Sequence, residues 1–263
     1  MARFLAFLVL LASLATAAAW YSQQPESLWA RKTASDVPDD EWLDHIYSQN
    51  PRDAETAEQE VRELGPRVLP TIQAVLRDQR ADDKARKAAL KACVVLEQTA
   101  APAVPEVAAQ LGNPDLTEEA ALALSFMGPE AFGPLREALR SEDPIVRREA
   151  LRSIGKLRAR APLDSHAVIP LLIQGMEDAD KDVRTVAATY LGILHDAPES
   201  AVPALVQGLS DEHIEVRRAS ARALGSFEHD IEPAIPALRR AARDPDQDLA
   251  REAGLALIKA RDR

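Results

Sequence analysis

Four arginines recur at one register along the chain: Arg86, Arg147, Arg184 and Arg217. A guanidinium is a planar fork of donors that grips carboxylate or phosphate oxygens two at a time, so such a row could hold an anionic ligand. Asp82, Asp143 and Asp180 stand four residues before three of these arginines. The same groups therefore suit turn carboxylates and carbonyls between packed units, and partly buried pairs of this kind serve packing. We read Arg86, Asp143, Arg147, Asp180, Arg184 and Arg217 as a structural ladder. One and five residues beyond the arginine register stand Lys87 and Lys91, Arg148 and Arg152, Thr185 and Thr189, Arg218 and Arg222, then Arg251 and Leu255. Side chains four apart share one helix face. Stacked helices would align Lys87, Lys91, Arg148, Arg152, Arg218 and Arg222 into a discontinuous basic stripe, a candidate surface for another protein carrying acidic groups. A solvated charged face is the competing reading of the same residues.

Other chemistry finds little support. Five histidines, His45, His166, His195, His213 and His229, are dispersed without a His-x-x-x-His or His-Glu-x-x-His spacing, so no metal site is expected. Glu228-His229-Asp230 brings a histidine and carboxylates together and is expected to be a solvated loop. The single Cys93 lies in an apolar stretch, Ala92-Cys93-Val94-Val95-Leu96, and reads as a buried small hydrophobe. No Gly-x-Ser-x-Gly or phosphate-cradling glycine loop occurs, so the sequence nominates no catalytic residue and no cofactor. The net charge of −10 argues against a nucleic-acid binder held by phosphate neutralisation.

The elements that must position these groups come from a repeat. A proline follows a branched apolar residue at Leu69-Pro70, Val104-Pro105, Ile169-Pro170, Val202-Pro203 and Ile235-Pro236, with a variant at Gly133-Pro134. The spacings are 35, 29, 36, 33 and 33 residues. A second phrase keeps the same period: Asp143-Pro144-Ile145-Val146-Arg147 with Ala150 and Ile154-Gly155, then Asp180-Lys181-Asp182-Val183-Arg184 with Ala187 and Leu191-Gly192. Val216-Arg217 with Ser220 and Leu224-Gly225 is a third copy. Each unit divides into two helices. The first is expected to carry its proline near the opening turn, where a missing amide costs little. The second puts Val146, Ala150, Ile154 and Leu157 on one face, and the Gly after Leu is expected to end it in the left-handed region. Neither helix can bury its stripe alone, so neighbouring units must stack.

The pattern Pro-x-Leu…Asp-x-x-Val-Arg-x-x-Ala-x-x-x-Leu-Gly resembles HEAT repeats, and is similar to the short bacterial variety of phycobilisome lyases. The resemblance covers six units over 64–263, at 64–97, 101–128, 129–158, 166–195, 198–228 and 232–260. It implies an all-α fold, a right-handed α-solenoid of stacked helix pairs whose second helices line a concave face. Ala120 and Ala250 replace the arginine in the second and last units. Residues 39–63 are expected to form capping helices, with Trp42, Leu43, Ile46 and Tyr47 covering the first repeat.

Ahead of the repeats, Arg3, an apolar run from Phe4, and small residues at Ala15-Thr16-Ala17 and Ala17-Ala18-Ala19 have the order of a secretory signal over residues 1–19. Uncleaved, residues 4–21 reach the length of a membrane anchor. Both alternatives export the remainder, with polar residues 20–38 as a linker. The sequence therefore predicts a non-catalytic protein-interaction scaffold or adaptor of the bacterial periplasm or cell envelope. The alternative is a lyase-like enzyme or enzyme subunit acting on a protein.

Overall fold

The computed structural model describes residues 41–161 and 163–260, and for His229 the backbone alone. The export signal, the anchor alternative and the linker at 20–38 lie outside the described residues. Among the described residues all regular structure is helical, and no helix is long and apolar enough to cross a membrane.

The α-helices alternate between two layers. The first helices of the pairs are α1 (Glu41–His45), α3 (Leu69–Arg77), α5 (Val104–Ala109), α7 (Phe132–Ala138), α9 (Ser165–Gly175), α11 (Pro198–Gly208) and α13 (Ile235–Ala241). The second helices are α2 (Pro51–Leu64), α4 (Asp83–Leu96), α6 (Thr117–Leu124), α8 (Pro144–Arg160), α10 (Lys181–Leu194), α12 (Ile214–Leu224) and α14 (Gln247–Lys259). Each second helix packs beside the next, forming an all-α solenoid.

Local chemistry starts the second helices. The carboxylate of Asp82 accepts from the Ala85 amide, Asp143 from Ile145, Asp180 from Asp182 and Val183, and Asp246 from Leu249. Each satisfies donors that a helix start otherwise leaves unpaired, an effect of about 1 kcal/mol per cap. The prolines depart from expectation in two units. Pro70, Pro105 and Pro236 stand in the opening turns of α3, α5 and α13, but Pro170 and Pro203 lie inside α9 and α11. In α9 the side chain of Asp164 caps a turn that precedes the proline, so the helix starts earlier and the proline forfeits one internal hydrogen bond.

Between the layers runs a core of Leu, Ile, Val and Ala. Val146, Ala150, Ile154 and Leu157 are all buried, as are Leu90, Leu124, Leu172 and Leu191. At the N-terminal end Trp42 and Ile46 are buried and cover the first repeat, while Tyr47 stays exposed instead of joining them. Glu228–Ala234 winds as a 3-10 segment rather than an open loop.

The Leu-Gly glycines correct the helix-end reading. Gly155 and Gly192 lie inside α8 and α10, and Gly225 follows α12 with φ −64°. Their role is close approach between second helices. A Cβ on Gly155 would meet the Tyr190 ring at 2.2 Å, and one on Gly192 would meet the Ala223 Cα at 2.6 Å. The left-handed position after α10 is taken by His195, with φ 37°.

Candidate functional site

The ladder arginines stand in the first turns of the second helices and reach into the inter-helix turns. Arg147 donates from Nε and Nη2 to the two carboxylate oxygens of Asp178, both at 2.8 Å, and from Nη1 to the carbonyls of Ser141 and Glu142. Arg184 repeats this one unit later, gripping Asp211 at 2.7 and 3.0 Å and the carbonyls of Asp178 and Ala179. The carboxylates lie in the following unit, so each guanidinium ties its own inter-helix turn to the next. Asp143 and Asp180, four residues before, cap their own helices and do not pair with these arginines, because an N-cap carboxylate points at the amides of its own first turn. Arg217 keeps the carbonyl contacts, to Asp211 and Glu212, and Arg86 donates to the Asp78 carbonyl.

Electrostatics follow this geometry. Burial alone would raise the carboxyls of Asp178 and Asp211, but the arginine forks and the backbone amides of Asp180 and His213 hold both below the usual range. The same hydrogen bonds raise Arg147 and Arg184 further above their ordinary values.

The basic stripe is not a row of free cations. Lys87 lies 2.9 Å from Glu119 and Lys91 3.0 Å from Glu58, each on a neighbouring second helix. Arg148 and Arg152 converge on Glu149, at 2.8 and 3.0 Å. Arg222 meets Glu252 at 3.2 Å on α14. Arg218 grips Asp246 through Nε and Nη2, taking the inter-unit role that Arg147 and Arg184 have earlier. That fork and the Leu249 amide hold Asp246 at about 2. The discontinuous basic stripe is thus interleaved with acidic partners. For Lys87, Lys91, Arg218 and Arg222 side-by-side packing brings acids from about thirty residues away against the cations, whereas Arg148 and Arg152 share Glu149 of their own helix.

One segment of this face remains electropositive, and it extends beyond the residues that the repeat register marks. Along α8 the cations Arg148, Arg152, Lys156 and Arg160 are spaced by four. Arg148 and Arg152 share one carboxylate, Glu149, whose side chain is 5% exposed. Among the described residues the Lys156 amine has no hydrogen bond or ion pair, and Arg160 lies 3.8 Å over the ring of Phe126. The four-residue spacing was legible in the sequence, but Lys156 stands out only because, among the described residues, the acids that pair with the other cations form no ion pair with it. A groove of about 280 Å³ between α6 and α8 is lined by Glu118, Glu119, Leu122, Glu149, Arg152, Ser153 and Lys156.

Among the described residues the histidines form no common centre. His213 faces Arg184 and Asp211, and His195 ends α10. Cys93 is wholly buried in α4, and burial first, with Glu106 nearby, pushes its thiol up to about 12.

With this geometry in place, comparison with known proteins defines the class. Residues 169–258 match the HEAT repeats family and residues 146–178 the PBS lyase HEAT-like repeat. Over residues 146–258 the repeats are therefore similar to HEAT repeats, including the HEAT-like type of PBS lyases. No curated protein matches the sequence. Among solved structures, one of Kap95p with RanGDP is similar with a TM-score of 0.64 and 16% identity over 86% of this chain. A Kap121p mutant is similar with a TM-score of 0.63 and 14% identity over 92% of the chain. The complex of CpcE and CpcF of phycocyanin lyase from Nostoc sp. PCC7120 is similar at 0.50 and 24% over 59% of this chain and 98% of that one. The chain spans about a third of the length of the Kap chains that it matches, 34% and 31%. These likenesses establish the fold, an all-α solenoid.

Proposed function

We propose that the protein is a non-catalytic scaffold that binds another protein along its layer of second helices, in the periplasm or cell envelope. The observation that carries the reading is the continuous face of α6, α8, α10 and α12, where Leu122, Thr189 and Ile193 are exposed between ion-paired rows. Interhelical ion pairs and glycine contacts hold these helices in fixed register, so a partner meets a pre-formed surface and binding costs less ordering. Kap95p with RanGDP illustrates a similar solenoid in complex with a protein. Export is supported by the order of residues 1–19, with residues 4–21 as a membrane tether when they are retained. A partner with acidic groups remains part of the proposal, now confined to the unquenched cations of α8. The lyase-like alternative draws support from the PBS lyase repeat match over residues 146–178. Against it stands the only thiol, Cys93, which is buried and held protonated and is therefore a poor nucleophile.

The test is photo-crosslinking in the producing cell, with a photoreactive residue placed at Thr189 or Ile193 on α10, or at Glu137 on α7 in the opposite layer. Adducts with one protein from the α10 positions alone are expected. Equal adducts from both layers would refute the assigned face.

A further inference from the structure

On α8 the charge balance is uneven in a way found on no other second helix among the described residues. Four cations, Arg148, Arg152, Lys156 and Arg160, face Glu149, Glu118 and, near Arg148, Asp182 of α10, while Glu119 of the groove is paired with Lys87. Glu149 is almost fully buried and already shared, and Glu118 lies 3.4 Å from Arg148 at the opposite end of the row. The excess charge therefore sits on Lys156 and Arg160. Next to it the groove offers apolar contact: Leu122 is 38% exposed, and Phe126 presents its ring beneath Arg160.

We infer that the groove between α6 and α8 binds an acidic segment of a partner protein, with a carboxylate meeting Lys156 and Arg160 and a neighbouring apolar side chain meeting Leu122. This rests on the scaffold reading and names the chemistry of its partner. The surroundings of Lys156 agree. Its amine is pushed below the ordinary lysine value first by burial and then by the like charges of Arg152 and Arg160, with Glu149 acting in the opposite sense. An incoming carboxylate offsets that repulsion. An exposed leucine suits a peptide better than a phosphate backbone, and the −10 chain charge with Glu118 and Glu119 on the rim disfavours a polyanion without apolar groups. Arg160, stacked on Phe126, is oriented before the partner arrives.

Fluorescence anisotropy tests the assignment with three labelled probes: an amphipathic peptide with glutamates on one face and leucines on the other, its counterpart with glutamines for glutamates, and a single-stranded oligonucleotide. The acidic peptide should saturate the full chain. Lys156→Glu with Arg160→Glu should weaken it at least about tenfold, or about 1.4 kcal/mol. Arg239→Glu with Arg240→Glu, the same charge change on exposed residues of α13 in the other layer, should leave it unchanged. Lys156→Gln with Arg160→Gln gives a milder version should the reversal disturb folding, and circular dichroism checks each variant. Equal weakening by both reversals would overturn the inference as bulk charge. Equal binding of the glutamine peptide would overturn it too while leaving the scaffold reading intact. Binding of the oligonucleotide alone would sink both.

Discussion

A methyl group added at Gly192 should loosen the solenoid, whereas the same methyl at Gly254 should tighten it. Both glycines lie inside second helices, α10 and α14, where replacing Gly by Ala stabilises by up to about 1 kcal/mol through backbone entropy. At Gly254 nothing lies within 4 Å of the new Cβ, so that gain should appear whole. At Gly192 the Cβ would lie 2.6 Å from the Cα of Ala223 and 2.7 Å from its Cβ. The obstruction includes backbone, so relief requires α12 to move, and overpacking of this kind costs about 1–3 kcal/mol. The net for Gly192→Ala is a loss of up to about 2 kcal/mol, and about 2–4 °C in melting temperature accompanies each kcal/mol in a chain of this size. Thermal and urea unfolding followed by circular dichroism would measure both variants. Because repeat arrays are stabilised by nearest-neighbour interfaces, hydrogen exchange should quicken in α10 and α12 and remain unchanged in α3 and α4. Stabilisation by both substitutions would refute the close-approach role of the glycine.

Two further outcomes follow from the loop ladder. Arg184→Ala strands the Asp211 carboxylate and two carbonyls at a site where the guanidinium side chain is only 10% exposed, and should cost about 3 kcal/mol or more in urea unfolding. Arg218→Ala breaks the related fork to Asp246 where the arginine is 37% exposed and solvent screens the pair, so it should cost less than Arg184→Ala; equal losses would contradict the burial argument. Because Asp178, Asp211 and Asp246 titrate below their unfolded values, their stabilisation is complete above about pH 4 and fades on acidification through the folded values, which for Asp246 is about 2. Urea midpoints should fall between pH 5 and pH 2, and more shallowly in Arg218→Ala, where a slope equal to that of the unaltered chain would remove Arg218 as the cause.

The period of prolines, the aspartates at helix starts and the apolar faces of the second helices were legible in the sequence because each is local: a cap acts within three residues and an amphipathic face within two turns. The same locality misled the reading of Leu-Gly. A glycine near a helix end is compatible with a left-handed cap, and only the approach of Tyr190 and Ala223 shows that Gly155 and Gly192 are narrow points between helices. It also misled the placement of the prolines in α9 and α11: in α9 the Asp164 cap upstream outweighs one lost hydrogen bond, and α11 opens at Pro198, a turn before Pro203.

For the candidate site the division is sharper. Sequence spacing by itself determined that Lys87, Lys91, Arg148, Arg152, Arg218 and Arg222 occupy corresponding helix faces. Whether those charges are free depends on distances of a few ångströms between helices about thirty residues apart, and these are set by packing of the small residues between them. Tertiary structure decided that Glu58, Glu119, Asp246 and Glu252 neutralise Lys91, Lys87, Arg218 and Arg222, while Arg148 and Arg152 share Glu149 of their own helix and Lys156 pairs with no acid among the described residues. Charge is carried by single residues, whereas electrostatic potential is a property of the neighbours that folding brings to them.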